Sequence, residues 1–192
     1  MPWDKQFDKT AVLEKVLGAF WSRGYEATSI QDLVDCTGVN RASLYATYGD
    51  KRQLFLAALE SYDESRRRML AELEATYPPR EAIRQLFLSV TQGIGGGAPD
   101  RGCFITNTAL ELAAHDEEIN VVVGEAQADV EAFLIRMLRK AKAAGEVASQ
   151  LKCSQTARGL LAALIGLLVL VRSRPEKFLL HSIVEDAMRR LE

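Results

Sequence analysis

The stretch from Thr28 to Lys51 reads TSIQDLVDCTGVNRASLYATYGDK, and its pattern predicts two short helices joined by a tight turn. Apolar residues at helical spacing occur on both sides of the turn, which is the tetrapeptide CTGV. Gly38 permits the positive φ that ends the first helix, and Asn40 can cap the second. Two short helices across such a turn are typical of a helix-turn-helix, whose second helix enters the major groove of duplex DNA.

The residues around the turn extend this pattern in both directions. The residues concerned are Gly24-Tyr25, Thr28-Ser29, Thr37-Gly38-Val39, Leu44-Tyr45, Tyr48 and Lys51. Together they resemble the tetracycline-repressor (TetR) family of transcriptional regulators. The chain departs from the family pattern at Cys36-Thr37, where alanines are usual, and at Tyr48, where phenylalanine is common; both changes conserve packing.

The resemblance implies DNA-binding roles for particular residues of this stretch. Arginine offers two parallel donors that match guanine in the major groove, and asparagine can match adenine. Two of the residues also have a structural interpretation: Tyr45 could be a core residue with its hydroxyl at the rim, and Lys51 could be an ordinary solvated charge. The residues expected at phosphates are Thr28, Tyr45, Tyr48 and Lys51, and those expected at base edges are Asn40, Arg41 and Ser43.

The charge count of the N-terminal part gives no support to a DNA-binding role. Residues 1–55 contain seven positive and seven negative side chains. A basic footprint is the usual electrostatic sign of a nucleic-acid-binding protein. Three cations, Arg41, Lys51 and Arg52, nevertheless cluster around the second short helix. We therefore expect DNA affinity to depend on hydrogen bonds, with a modest dependence on salt.

The remainder of the chain also has the apolar spacing of helices, without the sustained alternation of a strand. The sequence predicts an all-α fold of about nine helices. Residues 1–52 would form a three-helix, helix-turn-helix DNA-binding domain, and residues 53–192 a larger ligand-sensing and dimerisation domain. A glycine-rich segment, Gly93 to Pro99, is the long flexible stretch expected within the second domain.

A run from Gly159 to Val171, GLLAALIGLLVLV, is apolar on every side of a helix. It is too short for a membrane span, which needs about 20 residues, so it must be covered by protein on more than one side. Pairing of the last two helices with their copies in a second subunit would cover it, and this is how the resembled family dimerises. The alternative is a monomer in which the run is simply central core.

A small-molecule effector is expected among the middle helices, at Cys103, Phe104, Asn107, Phe133 and Met137; the alternative is that these side chains are plain core. Cys103 follows a glycine near a helix start, where the helix dipole favours a thiolate. It is therefore a candidate sensing thiol; the alternative is a small buried apolar side chain. A second cysteine, Cys36, is expected to lie unreactive in the core between the two short helices.

Composition limits the other classes of function. Three dispersed cysteines and a charged N-terminus without the apolar core of a signal peptide favour a reduced, cytoplasmic protein. His115 and His181 have no partner at metal-ligand or catalytic spacing, so we expect no cofactor, no metal and no enzymatic activity. The expected function is a one-component, ligand-responsive repressor that binds a palindromic operator as a homodimer. The alternatives are a ligand-independent DNA-binding protein and a helical enzyme.

Overall fold

A computed structural model describes residues 7–92 and 101–192, and over these ranges the chain forms nine α-helices and no strand. The all-α prediction is confirmed. The predicted flexible segment from Gly93 to Pro99 lies outside the described residues. The helices are α1 (Lys9–Arg23), α2 (Ile30–Thr37), α3 (Arg41–Tyr48), α4 (Lys51–Thr76), α5 (Pro79–Thr91), α6 (Phe104–Glu111), α7 (Glu117–Ala143), α8 (Cys153–Ser173) and α9 (Lys177–Arg189).

The chain divides into two compact units, residues 1–65 and 66–192. The boundary falls inside α4, which runs without a break from one unit into the other. The division into domains at residues 52 and 53 stays a prediction.

The short helices of the first unit start where the sequence places a capping side chain. Ser29 accepts a hydrogen bond from the backbone N–H of Asp32, whose carboxylate accepts one from the N–H of Ser29. This reciprocal capping box satisfies N–H groups that a helix start leaves unpaired. Asn40 caps α3 by accepting from the N–H of Ser43 at 2.9 Å. Gly38 ends α2 in the left-handed conformation at φ 74°, as the sequence predicts.

The core of the first unit is aromatic as well as aliphatic. Phe20, Leu33 and Leu44 come from α1, α2 and α3, and no part of any of them is exposed. The ring of Phe20 meets that of Phe55 edge-on at 5.1 Å between centroids. Burying each such side chain contributes about 1.5–3 kcal/mol, so this core joins helices that are too short to be stable alone.

The second unit is built around α7. Its stripe of Phe133, Leu134, Met137 and Leu138 is fully buried, and α7 packs against α5, α6 and α8. The last residues of the chain close this core, because Leu191 is also completely buried.

Ion pairs join the part of α4 within the second unit to α7. Glu74 accepts from Arg136 at 3.0 Å and from Lys140 at 2.8 Å, and Arg66 donates to Asp129 at 3.1 Å. Hydrogen bonds from Arg136 and Lys140 lower the pKa of Glu74 below its usual value. The pairs are partly exposed to water, so each contributes little by itself.

We predict that Glu74→Gln destabilises the protein by about 0.5–1 kcal/mol at pH 7. A lowered carboxyl pKa means that this contribution is present above the unfolded-state pKa and is lost as pH falls through the folded-state pKa. The difference between wild type and variant should therefore shrink below about pH 4. Urea unfolding at pH 7 and at pH 3.5–4 measures both effects.

A matched control is Glu72→Gln, which removes the same charge two residues away. Glu72 is exposed and makes no ion pair with any described residue, so its substitution should leave stability unchanged. Equal destabilisation by both variants would show that the Glu74 ion pairs do not hold α4.

Candidate nucleic-acid interface

The turn between α2 and α3 is held by Thr37. Its hydroxyl donates to the carbonyl oxygen of Leu33 at 2.6 Å and accepts from the N–H of Val39 at 3.2 Å. With Leu33 and Leu44 fully buried on the inner faces of the two helices, the outer face of α3 is left to solvent. This is the arrangement of a helix-turn-helix.

Arg41 is the first residue of α3 and is exposed. Its guanidinium carbon lies 5.1 Å from the centroid of the Tyr45 ring, one helical turn further on. Tyr45 is half-buried, and its hydroxyl makes no hydrogen bond with a described residue. The hydroxyl is thus available to an incoming group.

Lys51 starts α4, and its ammonium lies 4.3 Å from the centroid of the Tyr25 ring. Tyr25 in turn packs edge-on against Phe55 at 5.1 Å. Asp50 caps the start of the same helix by accepting from the N–H of Gln53 at 2.9 Å. Within the described part of the chain, neither Lys51 nor Arg41 makes an ion pair.

Two residues expected at phosphates are engaged inside the protein. Thr28 is fully buried, and its hydroxyl donates to the carbonyl oxygen of Gly24 at 2.6 Å. Tyr48 donates its hydroxyl hydrogen to the carbonyl oxygen of Lys9 at 3.0 Å and thereby ties α3 to α1. Burial, with a smaller contribution from the Asp8 carboxylate, raises the pKa of Tyr48, so this tie persists at neutral pH.

The two residues expected at base edges beside Arg41 are Asn40 and Ser43. The side-chain oxygen of Asn40 already accepts the N–H of Ser43. The amide nitrogen of Asn40 makes no hydrogen bond with the described residues, and the Ser43 side chain is only partly buried.

A neighbouring charge pair is neutralised within the unit. Hydrogen bonds from the Ser29 side chain and backbone, and then from Arg23, lower the pKa of Asp32 to about 2. Asp32 and Arg23 therefore carry opposite charges at neutral pH and offset each other. Arg41 and Lys51 make no ion pair with a described residue, so they remain to attract a polyanion.

The candidate effector residues lie at the start of α6 and on α7. Cys103 occupies the N-cap position of α6 and is 8% exposed. Asn107 donates from its amide to the carbonyl oxygen of Arg101 at 2.9 Å. Phe104, Phe133 and Met137 are buried. A ligand would therefore reach these three side chains only after they move apart.

Gly102, before Cys103, is required by close packing. It has a φ of 65°, and a side chain there would lie 3.1 Å from the backbone oxygen of Leu168 on α8. The segment that leads into α6 therefore passes directly against α8.

The expectation that Cys36 lies in the core is wrong. Cys36 is an exposed residue of α2, because the inner face of that helix is filled by Leu33. Partial burial still raises the pKa of the Cys36 thiol, which lowers its thiolate fraction at neutral pH. Among the described residues, no group of three or more metal-ligating side chains occurs.

Sequence reasoning did not find the ring contacts of Tyr25 and Tyr45 with the two cations. The one available signal was the spacing of Arg41 and Tyr45, which places them on the same face of a helix. Tyr25 and Lys51 are far apart in the sequence and meet only through folding.

The helix-turn-helix and the helical second unit define a transcriptional regulator. Two family models match the chain: "Bacterial regulatory proteins, tetR family" over residues 13–58, and "Tetracyclin repressor-like, C-terminal domain" over residues 79–178. The chain belongs to the TetR family of transcriptional regulators.

Named relatives agree with this assignment. The uncharacterized HTH-type transcriptional regulator YezE of Bacillus subtilis (strain 168) is 37% identical over 145 residues, which cover 75% of this chain and 75% of that protein. The HTH-type transcriptional repressor ComR of Escherichia coli (strain K12) is 32% identical over 148 residues, 74% of this chain and 69% of ComR. Both relatives are named as transcriptional regulators.

Solved structures share the fold. A triple cysteine mutant of the TetR family regulator CifR, complexed with 26-bp double-strand operator DNA, has a TM-score of 0.85 and 25% identity, with 100% of each chain covered. Reduced NemR of E. coli has a TM-score of 0.84 at 17% identity, with 93% of each chain covered. The likeness to NemR concerns the fold alone.

We predict that Tyr48→Phe destabilises the protein by about 0.5–1.5 kcal/mol, the net contribution of one hydrogen bond. The lost bond is the one to the Lys9 carbonyl. Tyr45→Phe is the matched control: it removes a hydroxyl with no hydrogen bond to the described residues and should leave the free energy of unfolding unchanged. Denaturant unfolding compares the two, and equal stabilities would contradict the proposed tie between α3 and α1.

Proposed function

We propose that this regulator is a dimeric, ligand-responsive repressor that binds a palindromic operator with one α3 of each subunit in the major groove. The DNA-binding part of this proposal is supported above all by the exposed face of α3. On this face Arg41 makes no ion pair with a described carboxylate, so its guanidinium is available to DNA. The repressor role is supported by the relative ComR, which is named as a repressor. In such a dimer the recognition helices would lie about 34–36 Å apart, or two dimers would share a longer site.

Roles at the proposed interface follow from which polar groups are free. Arg41 would read a guanine through its two parallel donors, and Ser43 and the amide nitrogen of Asn40 would contact neighbouring base edges. The Tyr45 hydroxyl and Lys51 would bind phosphates. Thr28 has no exposed surface, so its side chain is not part of the proposed interface, and Tyr48 would act mainly by holding α3.

We predict different losses of DNA binding for the two cations. Arg41→Ala should cost about 1–3 kcal/mol at the cognate site and relax the preference at one base pair. Lys51→Ala should weaken all duplexes alike and lower the salt slope by about one unit. In vitro selection from a random duplex library, followed by titration at several salt concentrations, measures both.

Lys15→Ala is the control for net charge, since this α1 lysine is outside the proposed interface and makes no ion pair with any described residue. Its effect on the selected site should be nil and its effect on affinity slight. If Arg41→Ala left both the selected site and the affinity unaltered, α3 would not be the reading helix.

The proposed dimer is supported by α8. Leu160, Leu164 and Leu167 form its buried inner face within the subunit. Of the most apolar 18-residue stretch of the helix, however, only 28% is buried within the chain. By length and composition alone the helix could also span a membrane. Because the inner face of α8 packs into the core of the second unit, we expect a second protein surface, rather than a membrane, to cover its other face. Phe178 on α9, which is 87% exposed, would be covered in the same way.

A glycine in α8 gives a direct test of this interface. A Cβ added at Gly166 would meet nothing within 4 Å in the subunit. We predict that Gly166→Arg folds as well as wild type, because arginine favours a helix more than glycine does, but is monomeric and loses operator binding. Light scattering at micromolar concentration, together with thermal unfolding, measures this.

Gly124→Arg on α7 is the matched control, since a Cβ there also meets nothing within 4 Å. It should remain dimeric. A Gly166→Arg protein that stays dimeric would place the subunit interface elsewhere, and a wild-type protein that is monomeric would refute the dimer.

Effector sensing is proposed at the start of α6 and the adjoining part of α7, with Cys103, Phe104, Asn107, Phe133 and Met137 as its residues. An effector can release DNA only through a difference in its affinity for two states. Helix α4, which passes from one unit into the other, is the continuous element through which the states would be linked.

We predict that Cys103 is the thiol through which electrophiles act. A protein with Cys36→Ser and Cys153→Ser should still release operator DNA after alkylation, whereas Cys103→Ser should retain it, because an adduct at this 8%-exposed position cannot fit the packed state. Mass spectrometry and DNA binding are followed together. Release of DNA from alkylated Cys103→Ser protein would return Cys103 to a purely structural role.

A further inference from the structure

Arg41 and Tyr45 share one face of α3, one helical turn apart. The guanidinium of Arg41 lies over the Tyr45 ring at 5.1 Å from its centroid. The negative face of an aromatic ring attracts a cation at this distance. Arg41 therefore has a preferred orientation, even though it is exposed and has no ion pair in the described chain.

Such an orientation matters because this DNA-binding unit has few cations to use. Positive and negative side chains are equal in number over residues 1–55, and Arg23 is offset by Asp32. A free arginine side chain loses substantial rotamer entropy when it binds in one geometry. A side chain already held in the bound geometry loses less, and the difference appears as affinity.

We propose that Tyr45 is a positioning residue for Arg41, whose ring holds the guanidinium along α3 in the orientation that meets a base edge. The inference rests on the proposed function. It separates two parts of one side chain: the ring acts through Arg41 on base-pair specificity, whereas the hydroxyl, which has no hydrogen bond to the described residues, acts on phosphate affinity.

The second cation provides an internal comparison. Lys51 lies over the ring of Tyr25, and Tyr25 packs against Phe20 and Phe55 in the core. Substituting Tyr25 would disturb that core, so Tyr25 is unsuited to the test. Lys51 itself is suited as a control, because it is a cation of the same proposed interface that contacts a different ring.

The test is a double-mutant cycle on the full chain. The probe is the duplex that the wild-type protein selects from a random library. Tyr45→Phe keeps the ring and removes the hydroxyl, and Tyr45→Leu removes the ring but keeps apolar bulk. Operator affinity and base preference are measured for wild type and both variants, each with and without Arg41→Ala.

The loss of affinity caused by Arg41→Ala should be about two- to fivefold smaller in the Tyr45→Leu background than in wild type, the range of an exposed cation–π contact. It should be unchanged in the Tyr45→Phe background. Lys51→Ala should cause the same loss in all three backgrounds. Tyr45→Leu should also relax the preference at the base pair read by Arg41, which Tyr45→Phe should leave intact.

A measurement on the free protein separates positioning from a merely structural role. The side-chain Nε–Hε and Hδ resonances of Arg41 should lose their ring-current shift in Tyr45→Leu and retain it in Tyr45→Phe. Thermal unfolding should show that both variants are folded at the temperature of the binding assay; if Tyr45→Leu is not, Tyr45→Met replaces it.

The outcomes are distinguishable. An Arg41→Ala loss that is as large in Tyr45→Leu as in wild type, or Arg41 resonances that stay at their wild-type positions in that variant, would overturn the positioning role and leave the proposed DNA site standing. The same holds if Tyr45→Phe abolishes the coupling as fully as Tyr45→Leu. If Arg41→Ala changed neither affinity nor preference in the wild-type background, the proposed function would fail, and the positioning role with it.

Discussion

The DNA-binding unit depends on the burial of a few side chains across short helices. Helices α2 and α3 have eight residues each, and isolated helices of that length are not stable in water. They persist because Leu33 and Leu44 are completely buried and because Thr37 closes the turn between them. Because the buried inner faces fix the orientation of α3, the residues on its outer face are fixed as well, and Arg41 is exposed to solvent.

In this unit the positions of the charged side chains matter more than their total charge. The carboxylate of Asp32 is used as a helix cap and pairs with Arg23, and Asp50 caps α4. Two acidic side chains that count against DNA binding in the sequence thus have structural uses at helix starts, where negative charge is favoured. Arg41 and Lys51 lie over tyrosine rings and make no ion pair with a described carboxylate, so both are available to an external partner.

The second unit is shaped by a different constraint: α8 is apolar on two sides and needs cover on both. The inner face of α8 is covered by α7 and by α9. A Cβ added at Gly102, just before α6, would lie 3.1 Å from the backbone oxygen of Leu168 on α8, so α8 is tightly packed against the proposed sensing segment. A change at the start of α6 is therefore a change in the surroundings of α8, the helix proposed to contact the second subunit.

The sequence by itself determined the elements that depend on local chemistry. The cap at Asn40, the left-handed Gly38 and the helical spacing of apolar residues along the chain were predicted from the sequence, because each depends on side chains within a few residues of one another. The all-α class and the family followed from them. The tertiary structure decided which side chains of the motif are free: it buried Thr28, engaged Tyr48 with Lys9, exposed Cys36 and brought Lys51 to Tyr25. The contacts of Tyr48 with Lys9 and of Lys51 with Tyr25 join residues distant in the chain, and no local pattern encodes the distance between such residues.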